Sequence, residues 1–102
     1  MPREPMHPGE FLADELQELG MSAAALARIL HVPANRISQI LAGKRNITAD
    51  TALRLGRYFG TGPKIWLNLQ QAYELDLAHQ QAGADIARIP QRAAELVQSA
   101  TG

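Results

Sequence analysis

Cysteine is absent from the 102-residue chain, which excludes a disulfide-stapled scaffold and any metal site built on thiolates, and fits a reducing compartment. No apolar run reaches the roughly 18 residues that a membrane-spanning helix needs. The opening MPREPMHPGE has no apolar stretch of the kind a secretory signal requires, so the expectation is a cytoplasmic protein without a membrane partner. Strand-like alternation is missing before residue 82, which points to an all-α fold. An excess of charge is missing too: ten Lys and Arg balance ten Asp and Glu. That balance removes the usual global mark of a nucleic-acid binder. What remains is a chain with 46% hydrophobic and 20% charged residues, close to the globular average and long enough for one core.

The neutral total hides an ordered distribution. Residues 1–20 carry one arginine against five acids, and residues 58–102 carry three cations against four acids. Between them Arg28, Arg36, Lys44, Arg45, Arg54 and Arg57 face a single acid, Asp50. A polyanion responds to the field within a Debye length, about 8–10 Å, so a basic central face can bind one while acidic helices point elsewhere.

Helical punctuation divides the chain into five helices. His7-Pro8-Gly9-Glu10 opens the first, Leu12, Leu16 and Leu19 mark its apolar face, and Gly20 ends it. Ser22 caps a second, short helix with Leu26, Ile29 and Leu30 at helical spacing, broken at His31-Val32. Pro33 starts a third, with Ile37, Ile40 and Leu41 inward and Gly43 as its stop. Thr48 caps a fourth, with Ala52, Leu55 and Phe59 inward and Gly60 closing it. The fifth begins at Pro63 and is expected to run to about His79, with Trp66, Leu69, Tyr73 and Leu77 in one arc. Leu67, Leu75 and Ala78 fall outside that arc and form the expected dimer surface. Gly83 and Pro90 are expected to break any longer helix, with a short helix over 91–98. Residues 1–79 thus read as the folded body and 80–102 as a partly flexible C-terminal extension.

Two short helices joined by a tight turn inside a five-helix body have the helix-turn-helix layout. On a wheel with Ile37 at the origin, Ser38, Asn35 and Gln39 fall at roughly 100°, 160° and 200°, an outward face made only of hydrogen-bonding side chains. Arg36 flanks it. Asn and Gln pair bidentately with adenine and Arg with guanine, so Asn35, Arg36, Ser38 and Gln39 are the candidates for base reading. Lys44 and Arg45, on the loop that follows, and Arg28, on the preceding helix, are the candidates for phosphate contacts. Read without the pattern around them, Arg36, Lys44 and Arg45 are an ordinary solvated rim. Trp66 and Tyr73 read as packing, and Asn68 and Gln70 as structural or interfacial. The three histidines are scattered and form no ligand set, so neither catalysis nor a metal or other cofactor is expected.

The stretch MSAAALARILHVPANRISQILAGKR resembles the helix-turn-helix pattern of the lambda-repressor-like (XRE) family. Ala27 stands where the two helices cross closely, Val32 follows the turn, and Ile37 and Ile40 seat the second helix. Ala23 stands where the family commonly has a DNA-contacting glutamine, and His31 where it commonly has glycine. HPGEFLADEL, followed by GKRNITADTALRLGRYFGTGPKIWLNLQQAYELDLA, is similar to the HigA/VapI-type antitoxin branch over about residues 7–78. That resemblance implies a homodimer on a palindromic double-stranded operator, repression of its own operon, and neutralisation of a HigB-type, RelE-like mRNA-cleaving toxin. The carboxylates Asp14, Glu15 and Glu18 read first as a solvated helical face, with docking of such a basic toxin as the functional alternative. A solitary repressor of the same fold, and a protein-interaction module that has kept the scaffold, are the alternatives.

Overall fold

The computed structural model describes residues 4–92. Five helices follow one another: α1 Pro8–Leu19, α2 Ala23–Leu30, α3 Ala34–Leu41, α4 Ala49–Phe59 and α5 Lys64–Ile86. The expected start and stop signals act where the sequence places them. His7 precedes α1 with extended backbone, and its Nδ1 accepts the Gly9 N–H at 2.9 Å. The Ser22 hydroxyl accepts the Ala25 N–H at 3.1 Å, satisfying one of the donors that a helix start leaves free. Gly20 and Gly60 close α1 and α4 in the left-handed region. Thr48 sits at the cap position of α4, but its side chain accepts no helix N–H and instead lies 3.5 Å from the Thr51 hydroxyl.

All five helices contribute to one core. Leu12 and Leu16 of α1 meet Leu26, Ala27 and Leu30 of α2, Ile37 and Ile40 of α3, Ile47, Ala52 and Leu55, and Trp66 of α5. Two expected core residues are outside it: Leu19 is 51% and Ile29 45% exposed. Leu19 is the last residue of α1, whose buried positions end at Leu16. Ile29 is displaced because the buried arc of α2 runs through Leu26, Ala27 and Leu30, so the small Ala27 takes the side that faces α3.

The N-terminus of α1 presses on the end of α3. A methyl group on Gly9 would overlap the Ile40 carbonyl oxygen, so only glycine permits this approach. The tryptophan helix is fixed by two polar contacts. Trp66 is 1% exposed and donates its indole N–H to the Thr61 hydroxyl at 3.2 Å. Gln70, buried one turn on, accepts the Ile47 N–H at 2.9 Å and donates to Glu74 at the same distance. Phe11 and Phe59 pack their rings against Trp66. Gln70 is thus structural, as its place in WLNLQ suggested: it satisfies a backbone donor that packing has cut off from water.

α5 departs from expectation at its far end. It continues past His79 and through Gly83 to Ile86, 23 residues in all, so the expected boundary at residue 79 falls inside a helix. One interior glycine costs about 1 kcal/mol relative to alanine, which the helix-favouring Gln80, Gln81, Ala82 and Ala84 around it offset. The chain leaves the helix before Pro90. Residues 91 and 92 are not helical, and the rest of the short helix expected over 91–98 lies outside the described residues.

Glycine-to-alanine changes inside helices are ordinarily stabilising, and Gly9→Ala is expected to reverse that sign. Overpacking against Ile40 should lower stability by about 1–3 kcal/mol, a fall in Tm of several degrees in thermal unfolding.

Candidate nucleic-acid interface

The interface is built around the three-residue turn His31–Pro33 between α2 and α3. His31 takes the left-handed conformation, φ 61° and ψ 45°, that its family position demands. Its N–H reaches the Arg28 carbonyl at 3.2 Å and the Val32 N–H reaches the Ala27 carbonyl at 3.0 Å, so the turn satisfies the end of α2 from within. Ala27, 1% exposed, sits at the helix crossing, and Val32 packs against the core. Buried Ile37 and Ile40 then leave one face of α3 to solvent.

On that face the structure brings together Asn35, Ser38 and Gln39. Asn35 and Ser38 are exposed and Gln39 is half-buried. The Ser38 hydroxyl donates to the Asn35 backbone carbonyl at 3.3 Å. At the other end of α3 the Gly43 N–H meets the Ile40 carbonyl at 3.0 Å and the Lys44 N–H meets the Gln39 carbonyl at 2.9 Å. Gly43, at φ 74°, makes this reversal without strain and holds Lys44 and Arg45, both exposed, just beyond the helix. Arg28 is exposed on α2. Ala23 packs against the core, so the start of α2 offers a methyl group where a polar contact is common in the family.

Arg36 is set apart from this face. Its Nη1 donates to Asp50 Oδ2 on α4 at 2.6 Å, and its side chain is 27% exposed. The same oxygen accepts the Arg54 Nε–H at 3.0 Å, and Arg54 Nη1 donates to the Leu30 carbonyl at the end of α2 at 2.8 Å. The Arg54 and Arg36 guanidiniums together hold the Asp50 carboxyl below the usual carboxylate range. In the sequence Asp50 and Arg54 stand out only as charges of the central stretch, not as site residues. The available signal was their i, i+4 spacing, and the fact that Asp50 is the sole acid among residues 21–57.

The dimer candidates on α5 separate. Leu67 is half-buried and packs against the core beside Trp66. Leu75, 58% exposed, and Ala78 lie on the outer surface, and Ile86 extends it. On α1, Asp14 and Glu18 are exposed and Glu15 is half-buried. Among the described residues no group of three or more His, Cys, Asp or Glu is placed to hold a metal ion. None of the described helices is long and apolar enough to cross a membrane.

Residues 12–66 match the helix-turn-helix family, and the chain belongs to that family, in its lambda-repressor-like branch that includes the HigA antitoxins. It is similar to virulence-associated protein I of Dichelobacter nodosus, 55% identical over 76 residues, which spans 74% of this chain and 70% of that one. Among solved structures it resembles an addiction module antidote protein of the HigA family from Coxiella burnetii, with TM-score 0.86 and 50% identity over 89% of this chain and 100% of that one. It also resembles the Pseudomonas aeruginosa antitoxin HigA solved with the higBA promoter, with TM-score 0.83 and 46% identity over 87% of this chain and 99% of that one.

His7 ties the interface to the rest of the body. The ring is 7% exposed and meets Tyr73 of α5 edge to face at 4.9 Å. Burial lowers its pKa from 6.5, against smaller opposing effects of the Arg45 backbone and the Glu10 charge. Its Nε2 makes no hydrogen bond of good geometry, so the nearby Arg45 backbone does not compensate the burial. Neutral His7 is therefore the form the fold selects, and protonation would remove the Nδ1 acceptor that caps α1. A lowered folded pKa gives a contribution that is complete above the unfolded value of 6.5 and is lost as pH falls below it toward the folded value. The Tm is expected to fall between pH 7 and pH 5. His7→Asn, which keeps a cap acceptor without a titrating ring, should shed that part of the pH dependence in circular-dichroism melts.

Proposed function

We propose that this chain is a dimeric, cytoplasmic, sequence-specific repressor of its own operon and the antitoxin of a HigB-type, RelE-like toxin. The observation that carries the reading is the outward polar face of α3, flanked by Lys44 and Arg45, in a chain 46% identical to a HigA solved with its promoter. Asn35, Ser38 and Gln39 read base edges in the major groove, with Arg36 at their flank. Lys44, Arg45 and Arg28 hold phosphates and set the register. The chain has no catalytic role in this reading and needs no cofactor. Residues 4–79 supply the DNA-binding body, and the rest of α5 extends it.

Recognition of a palindrome needs two copies with their α3 helices about 34 Å apart. We assign the contact between copies to the outer face of α5 around Leu75 and Ala78, where exposed apolar side chains have no cover within one chain. The acidic outer face of α1, with Asp14 and Glu18, is the surface we assign to the basic toxin.

Titration of the purified protein against the 5′ flank of its own gene and a scrambled duplex, at two salt concentrations, tests the reading. Tight, selective binding that weakens steeply with salt is the expected result; equal affinity for both duplexes would reject it. Asn35→Ala should lower the preference for the cognate duplex by a factor equivalent to about 1–3 kcal/mol. Lys44→Ala should weaken both duplexes alike and reduce the salt slope by about 1. Leu75→Glu should shift sedimentation toward monomer and weaken operator binding in parallel, with the helical circular-dichroism signal unchanged.

A further inference from the structure

Asp50 is an anomaly in a surface meant for a polyanion. It is the only acid among residues 21–57, it is 54% exposed, and it stands within hydrogen-bonding distance of the recognition helix. A carboxylate there weakens attraction for phosphate, so its presence calls for a compensating role. The geometry supplies one. A single oxygen of Asp50 is shared by Arg36 of α3 and Arg54 of α4, and Arg54 also closes the carbonyl end of α2. One carboxylate thus links the three helices that form the interface.

Arg36 occupies the first turn of α3, the part of a recognition helix that approaches base edges. Unrestrained, its long cationic side chain would reach neighbouring phosphates on any sequence. Paired with Asp50, it is turned toward α4 and held by a carboxylate that it shares with Arg54. Resting on the DNA-binding reading above, we propose that Asp50 is a positioning residue that withholds Arg36 from DNA, so that Asn35, Ser38 and Gln39 alone carry base recognition. The acid lowers non-specific affinity and thereby raises selectivity, a repulsive element that works against the wrong partner.

The test uses the full chain, its cognate 5′-flanking duplex and a scrambled duplex of equal composition, each titrated across a salt series. Asp50→Asn removes the charge but keeps the side-chain size. It should raise affinity for scrambled DNA at least twofold, steepen the salt slope by about 1 for the freed cation, and lower the cognate-to-scrambled ratio. Arg36→Ala in the otherwise native chain should leave that ratio within threefold, whereas Asn35→Ala reduces it further. A larger loss of selectivity in Arg36→Ala would make Arg36 a base reader and overturn the proposal. So would an Asp50→Asn protein, folded by circular dichroism, with unchanged scrambled-DNA affinity and slope. Should Asp50→Asn fail to fold, the Arg36→Ala ratio decides alone. Equal binding of both duplexes by the native protein would instead reject the repressor reading itself, and this inference with it.

Discussion

Everything that the interface requires depends on how closely α1 is allowed to approach the end of α3. Gly9 lies against the Ile40 carbonyl with no room for a methyl group, and His7 beside it caps α1 and packs on Tyr73 of α5. This one close contact fixes three things. It seats the C-terminal end of α3, it places the Gly43–Arg45 loop next to a buried ring, and it brings α5 across the back of the helix-turn-helix. A larger residue at position 9 would separate the elements that hold the cationic loop in place. The HPGE sequence therefore has a mechanical meaning: a helix cap, a preset first turn and a contact that only glycine permits.

The charge distribution follows the same division of labour. The fold does not make the chain basic; it leaves Arg28 exposed on α2, Lys44 and Arg45 exposed just after α3, and Asp14 and Glu18 exposed on α1. Within the basic region a further selection occurs, because Arg36 and Arg54 share Asp50 and Arg54 is spent on the carbonyl end of α2. Of the six cations in residues 21–57, then, two serve the architecture of the helix-turn-helix. Counting charges along the chain overstates what the surface offers to phosphate. It does not misplace it.

Much of this was legible in the sequence, and the reasons are local. Caps at Ser22 and Gly20, the break at His31, the reversal at Gly43 and the periodicity of Ile37 and Ile40 each act within one or two turns, so residue spacing suffices to locate them. The outward face of Asn35, Ser38 and Gln39 follows from the same periodicity. The misreadings share a cause. Leu19 and Ile29 have apolar spacing and face solvent because burial depends on what lies opposite. Gly83 read as a stop, yet the helix continues, since a local penalty of about 1 kcal/mol does not outweigh favourable neighbours.

The starts of the helices, the turn between α2 and α3 and the polar face of α3 were already written in the order of residues, because each rests on contacts between near neighbours. It took the folded arrangement to give Gln70 the Ile47 N–H, to bury His7 against Tyr73 and to pair Arg36 with Asp50. These pairings join residues 14 to 66 positions apart. Nothing in their spacing along the chain encodes them; they exist because the core brings the helix ends together, and a polar group removed from water there must find its partner in whatever the fold has placed beside it.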